Sequence, residues 1–425
     1  MEQFEGLNRL YSMAPSPNDN QMEFPLGSTS ENPPLLPAPK PEANDIIGAT
    51  DAGEAAQLTR IASKPPKSPS TPLFLDFFAG SGLVTEGMRG FFQAAWANDI
   101  CEKKAAVYIA NHGPAHFERA SIANVPGKSL PKATLAWASF PCQDLSLAGK
   151  MSGITAARSG LVWQWLRAID EMKDKPPILV AENVVGLVSA QGGAHYRLLH
   201  DALLKRGYKS GALLLDAVHW VPQSRPRIFV VSVPKGADCS GFADRGPNWA
   251  HSASIVRAAH GAANWVWWKL PKPSGRAARL QDVIEAGRIP GDLRHSERNL
   301  GLVPPRHMDR LTHAFSKGLR VVPGYRRTRN GRQVLELRFD EVAGCLRTPN
   351  GGSSRQFIVL KQGEGFATRL LTVRETARLM GAPDGYKIPG SFNDGYKAMG
   401  DAVAVPVVRH LARHLLRPLA ERLDG

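Results

Sequence analysis

At 425 residues, 43% of them hydrophobic, the chain can bury a large core and hold two folded units. Its formal net charge of +15 points to a polyanionic partner, most simply nucleic acid. Four scattered cysteines without a Cys-x-x-Cys pair argue against a zinc site or a disulfide framework, and no apolar run is long enough to span a membrane.

Residues 1–72 hold five Lys/Arg against nine Asp/Glu and 12 of the 33 prolines. Such a segment buries too little apolar surface to offset its ordering entropy, so a disordered tail is expected. Its early acids, Glu2 and Glu5, and its lack of an apolar stretch of signal length predict a protein kept in a reducing cytoplasm.

From Leu73 the pattern changes. Leu73–Phe77 predicts a buried strand, Ala79-Gly80-Ser81-Gly82 a tight turn, and Leu83–Phe91 a helix. Strand Gln93–Ala97 ends at Asn98-Asp99, and Leu135–Ser139 reads as another strand. Leu161, Trp165, Leu166, Ile169 and Met172 recur at helical spacing. Strand Ile178–Ala181, helix His195–Arg206 and strands Leu213–Leu215 and Ile228–Val233 follow. Strands alternating with helices predict an α/β fold, a doubly wound and mostly parallel sheet covered on both faces. From Gly236 to Asp340 the periodicity fades and the charge is +9, from 18 Lys/Arg and nine Asp/Glu. Helical spacing returns at Val373–Met380 and Pro406–Leu416.

Ligands of open parallel sheets bind beyond the carboxyl ends of the strands. The glycines of Phe78-Ala79-Gly80-Ser81-Gly82 let backbone approach a ligand there, and Asp99 could accept both hydroxyls of a ribose. A dinucleotide fingerprint would need a third glycine where Thr85 stands, which argues against a nicotinamide-dependent oxidoreductase.

Three chemical groups lie at strand ends. Pro141-Cys142-Gln143 follows Leu135–Ser139, Glu182-Asn183-Val184 ends Ile178–Ala181, and Gln223-Ser224-Arg225-Pro226-Arg227 precedes Ile228. A thiolate suits addition to an electron-poor ring carbon, and a buried acid facing it could donate to a ring nitrogen. Arg225 and Arg227 alternate along the strand and share a face, where either could hold a ring carbonyl or a phosphate. Cys101, Cys239 and Cys345 read as packing residues.

Taken in order, these motifs resemble the bacterial-type DNA cytosine methyltransferases that act at carbon 5, from Leu73 to Leu416. Asp76–Gly82 resembles the first S-adenosylmethionine motif, Asn98-Asp99 the ribose-binding acid, and Phe140-Pro141-Cys142-Gln143 with Ser146 and Gly149 the catalytic loop. Glu182-Asn183-Val184 and Gln223-x-Arg225-x-Arg227 match the next two signatures. Arg369–Glu375 with Arg378–Gly381 resembles the support of the recognition domain, and Gly400-Asp401-Ala402-Val403 the last motif.

The resemblance implies the S-adenosylmethionine-dependent methyltransferase fold with a smaller basic target-recognition domain. The expected division is a tail 1–72, a catalytic and cofactor domain 73–235, a recognition domain 236–340, and a returning segment 341–425. It implies a flipped-out cytosine in double-stranded DNA, attacked at carbon 6 by Cys142 and methylated at carbon 5. Glu182 would hold the ring nitrogen and amine, and Arg227, with Arg225 in support, the base carbonyl. S-adenosylmethionine, leaving as S-adenosylhomocysteine, would lie against Phe78, Gly80, Gly82, Asp99, Ile100, Ser121, Pro141, Asp401 and Val403. No metal is implied. Gln143 and Ser146 would face DNA.

Two positions depart from the family. Ser121 stands where an acid often contacts the adenine amine. Asp401 stands where Asn is usual, which keeps an acceptor and loses an amide donor.

Asn330-Gly331 predicts a hairpin between Tyr325–Arg329 and Arg332–Arg338. Its Arg326, Arg327, Arg329 and Arg332 are candidates to read guanine or hold phosphate in a major groove. Trp265, Trp267 and Trp268 read as core rather than as base-stacking residues. A monomer is expected, soluble and associated with the nucleoid. A cognate restriction endonuclease could act on the same site without stable binding. Two rivals stay open: a transfer-RNA cytosine-5 methyltransferase, whose Cys-Phe-Thr signature is missing, and a non-catalytic DNA-binding relative, which would usually lack the thiol or the acid.

Overall fold

The computed structural model describes residues 71–141, 160–276, 278–288, 292–348 and 355–424. Cys142, Gln143 and Ser146 therefore lie outside the described residues, as does the tail to residue 70.

Seven strands form the main sheet: β1 Leu73–Phe77, β2 Gln93–Asn98, β3 Phe117–Glu118, β4 Leu135–Ala138, β5 Ile178–Asn183, β6 Tyr208–Asp216 and β7 Pro226–Pro234. Their order is β3-β2-β1-β4-β5-β7-β6. The first five in sequence run parallel, and at the far edge β7 runs antiparallel to both of its neighbours, β5 and β6. From β1 the chain moves to β2 and β3 on one side and then to β4 and β5 on the other. The order thus reverses between β1 and β4, which opens a crevice beyond their carboxyl ends.

Both sheet faces are buried, which is why these strands read as unbroken apolar runs. Alternate residues go to opposite sides. Phe74, Trp137, Val180, Phe229 and Val231 join one core, with Leu83, Val84 and Met88 from helix Leu83–Met88 and Val407, Val408 and Leu411 from helix Val405–Leu411. Leu75, Phe77, Ala136, Leu179 and Val230 join the other, under helices Leu161–Glu171 and Ala194–Lys205. The expected doubly wound α/β sheet is what the chain forms. Trp268 is fully buried and donates its indole N–H to the Val231 carbonyl at 2.9 Å, while Trp265 and Trp267 pack against the second core.

A second sheet comprises β8 Val321–Arg329, β9 Arg332–Leu337, β10 Gln356–Gln362 and β11 Gly365–Leu370. Its order is β9-β8-β10-β11, antiparallel throughout. Its own core joins Val322, Leu335, Phe357 and Val359 to Val303 and Leu311. Helices Leu293–Leu300 and Pro305–Ser316 lie within the stretch that lacked periodicity. Their buried residues explain why: Ser296 and Asn299 in the first and Leu311 alone in the second leave no apolar stripe to read. Asn330 and Gly331 both have positive φ, 48° and 75°, as the two-residue hairpin turn requires. The sheet extends to Leu370, across the expected boundary at 340. No helix among the described residues is long and apolar enough to cross a membrane.

Candidate active site

The crevice between β1 and β4 is built first by the turn after β1. Phe78 adopts a left-handed φ of 58°, an uncommon conformation for a bulky residue and a mark of local strain. The end of β2 holds this turn in place. Asn98 accepts from the Phe78 N–H on its side chain at 3.2 Å and from the Ala79 N–H on its carbonyl at 2.8 Å. The Asp99 carboxylate accepts from the N–H of Gly80 at 3.0 Å and of Cys101 at 2.8 Å. At Gly82, φ is 80° and a side chain would begin 2.7 Å from the His112 ring, so only glycine fits. His112 faces the Gly82 carbonyl and the Tyr386 hydroxyl, and burial pushes its pKa down to about 4. Tyr386 in turn donates to the Ser81 carbonyl at 2.6 Å.

Of the other expected cofactor residues, Ile100 is 68% exposed just beyond β2, unusual for so large an apolar side chain. Ser121 follows Ala120, whose carbonyl accepts from the Asn98 amide at 3.0 Å, so it too sits at the end of β2. Ser121 accepts from the Ala123 N–H. Pro141 is exposed, and Val403 is buried in the first core. Asp401 pairs with Lys104 and accepts from the Thr348 hydroxyl.

The acid and arginine meet through the antiparallel turn of β7. Because β7 runs against β5, its amino end lies beside the carboxyl end of β5, with Asn183 opposite Ile228. Arg227 then reaches the Glu182 carboxylate at 3.2 Å. Burial raises the pKa of Glu182, opposed by Arg227, Arg225 and a hydrogen bond from Ser139. Ser139, one strand over, also accepts from the Trp137 indole at 2.9 Å. Asn183 donates its amide to the Phe140 carbonyl at 3.0 Å, two residues before Cys142.

Arg225 goes elsewhere than the cleft. It is 1% exposed, and its guanidinium donates to the carbonyls of Leu346, Gly400 and Ala402 at 2.9, 2.8 and 2.6 Å. Burial, with Arg227 adding repulsion, pushes its pKa down to about 10. Gln223 is equally buried and joins the Leu379 carbonyl to the Leu346 N–H. The first members of the Gln-x-Arg-x-Arg motif thus tie the returning segment to the sheet, and Arg227 pairs with Glu182 instead. Cys345, expected to be a packing residue, lies beside both arginines. Burial resists ionisation of its thiol, but Arg225 and Arg227 prevail and lower its pKa. Ser139, Asn183, Lys104 and Cys345 carry no pattern of their own in the sequence. Asn183 alone lay inside a motif.

On the hairpin, Arg327 and Arg329 both pair with Glu336, and Arg326 donates to Asn299 at 2.6 Å while lying over the Phe357 ring. Arg332 is exposed opposite Arg329.

A doubly wound sheet with a glycine turn after its first strand, an acid ending its second, and an antiparallel last pair defines the S-adenosylmethionine-dependent methyltransferase class of fold. Residues 73–417 match the family model of the C-5 cytosine-specific DNA methylases, and the chain belongs to that family of DNA (cytosine-5-)-methyltransferases. It is 26% identical over 373 residues to the type II methyltransferase M.MspI of Moraxella sp., covering 86% of this chain and 75% of that one. It is 26% identical over 352 residues to M.HaeII of Haemophilus aegyptius, covering 81% and 93%. Among solved structures, the Dnmt2 methyltransferase of S. pombe matches with a TM-score of 0.53 at 18% identity, over 83% of this chain and all of that one, a likeness of fold.

Proposed function

We propose that the protein methylates carbon 5 of a flipped-out cytosine within a short double-stranded DNA site, through a covalent bond between Cys142 and carbon 6. The observation that carries this reading is the Glu182–Arg227 pair, 3.2 Å apart at the carboxyl end of β5, which neighbours β4, with the acid buried and its pKa raised by that burial against the pull of the arginines. A neutral carboxyl can donate to the ring nitrogen, which an ionised one cannot.

The chain's own groups then have defined tasks. The Cys142 thiolate adds to carbon 6 while Glu182 gives its proton to the ring nitrogen, so electron density accumulates at carbon 5. Arg227 holds the base carbonyl, and Arg225 positions Arg227 and the returning segment. Once carbon 5 is methylated, loss of its proton restores the ring double bond and expels the thiolate. A cytosine inside the stack offers no access to carbon 6, so the base must leave the duplex.

The residues around the β1 turn fit S-adenosylmethionine. Gly80 and Gly82 keep the turn free of side chains, Asp99 keeps lone pairs for ribose hydroxyls beyond its two backbone contacts, and exposed Ile100 offers an apolar face to a purine. When bound, that group supplies an electrophilic methyl. Phe78, Ser121, Pro141 and Val403 complete its surroundings in this reading, and Asp401 approaches through Lys104.

The basic hairpin, with Arg326, Arg327, Arg329 and Arg332, would contact DNA together with Gln143 and Ser146, and the recognition unit would centre on the second sheet. A monomer acting at the nucleoid, alone or beside a restriction endonuclease of the same specificity, is consistent with this reading. Bisulfite sequencing of plasmid DNA from cells expressing the protein tests it, with Cys142→Ser as control. Protected cytosines in one recurring sequence, lost in the control, are expected. No protection from soluble protein, with methylated cytosine appearing in transfer RNA instead, would replace DNA by RNA as substrate.

A further inference from the structure

Lys104 lies over the glycine turn, on helix Glu102–His112. Its Cδ is 4.0 Å from the point where a Gly80 side chain would begin, as is Asp99 Oδ2. Its ammonium pairs with Asp401, which the Thr348 hydroxyl also engages. The two side chains keep 22% and 35% of their exposure, so the pair is open to a ligand rather than sealed in the core.

Asp401 stands where the resembled family carries Asn. A carboxylate there offers no N–H donor and repels an anion, so by itself it would weaken any contact with a bound carboxylate. The Lys104 ammonium restores a donor at the same place and adds a positive charge. It has three N–H donors, and its pairing with Asp401 leaves others available. Side by side, the two groups present both signs of charge, which is what the zwitterionic end of an amino acid requires.

We infer that Lys104 binds the carboxylate at the amino-acid end of S-adenosylmethionine, held in place by Asp401, which faces the ligand's own ammonium. The inference rests on the cofactor reading above. It assigns Lys104 and Asp401 to one end of the ligand and Asp99 to the nucleoside.

The test is calorimetric titration of the full-length protein with two ligands. S-adenosylhomocysteine carries the amino-acid end, and 5′-methylthioadenosine lacks it while keeping nucleoside and thioether. Lys104→Met should weaken S-adenosylhomocysteine binding about tenfold or more and change 5′-methylthioadenosine binding by less than about twofold. Lys104→Arg, which keeps the charge, should bind S-adenosylhomocysteine nearly as wild type does. Adding Asp401→Asn to Lys104→Met should recover much of the loss, because the amide donor returns while the unpaired carboxylate goes. Equal weakening of both ligands by Lys104→Met would make the lysine merely structural, and unchanged S-adenosylhomocysteine binding would remove it from the site. Wild-type protein that binds neither ligand would sink the cofactor reading and this inference with it.

Discussion

The Asn183 amide donates to the Phe140 carbonyl at 3.0 Å and thereby ties the strand that ends in the acid to the strand that leads to the thiol. Both residues are buried, at 3% of their surface exposed, so water cannot take the place of either partner. The same side chain accepts from the Val184 N–H at 2.9 Å, which fixes its orientation. Glu182 directly precedes Asn183, and Cys142 follows Phe140 by two residues, so the clamp joins the described ends of both segments.

Asn183→Ala should therefore separate chemistry from cofactor binding. The methylation rate is expected to fall at least about tenfold, since misplacement of a reacting group by about an ångström is that costly. Affinity for S-adenosylhomocysteine should stay near wild type, and stability should drop by about 1–3 kcal/mol for the orphaned carbonyl. Single-turnover methylation, calorimetry and urea melts read the three quantities.

Arg225 and Arg227 should respond differently to the same change. Arg225→Met leaves the carbonyls of Leu346, Gly400 and Ala402 without their donor and should cost about 3 kcal/mol or more in a urea melt. Arg227→Met removes a partly open side chain whose partner is Glu182, and should melt closer to wild type while losing most of its turnover. Similar losses of stability in both variants would contradict the division of labour.

Asp76 gives a pH signature. Burial, reinforced by Asp99 and opposed by a hydrogen bond from Thr85, pushes its carboxyl from 3.8 up to about 7. The native state thus holds the proton to higher pH than the unfolded chain. Asp76 favours folding fully below pH 4, and that contribution is lost as pH rises toward about 7. Asp76→Asn should accordingly match wild type near pH 4 and exceed it at pH 8, by up to about 4 kcal/mol. Thermal melts across this range check the sign, and a constant difference would contradict it.

Arg332 carries no acid partner among the described residues, whereas Arg327 and Arg329 share Glu336. Arg332→Ala should weaken DNA binding uniformly across sequences and reduce the slope of log affinity against log salt by about 1. Fluorescence anisotropy at several salt concentrations measures that slope, and an unchanged slope would take Arg332 off the phosphates.

Much of the main sheet was legible because its strands are apolar on both faces and are bounded by Gly, Pro or Asn. The reaction centre was legible in part for a related reason: Glu182-Asn183 ends one apolar run and Arg225-Pro226-Arg227 begins another, but only the antiparallel pairing of β7 with β5 puts them on one rim of the sheet. Which arginine faces the cleft was not legible, because alternation along a strand gives a shared side and says nothing of the carbonyls waiting there. Strand β6 was read as only Leu213–Leu215 because Lys209, Ser210 and Gly211 break its apolar run. Lys104 looks like an ordinary surface lysine in Glu102-Lys103-Lys104, and its partner Asp401 is brought to it only by the folding of the returning segment.

The central claim, a covalent bond from Cys142 to the target base, is tested most directly with a duplex carrying 5-fluorocytosine at the site that bisulfite sequencing identifies. Fluorine cannot leave carbon 5 as the proton does, so the methylated adduct cannot release the thiol. Incubation with S-adenosylmethionine should yield a denaturation-resistant protein–DNA complex, mapped by mass spectrometry to Cys142 and missing in Cys142→Ser. A protein that methylates ordinary cytosine yet forms no adduct, or forms one at Cys345, would contradict the account.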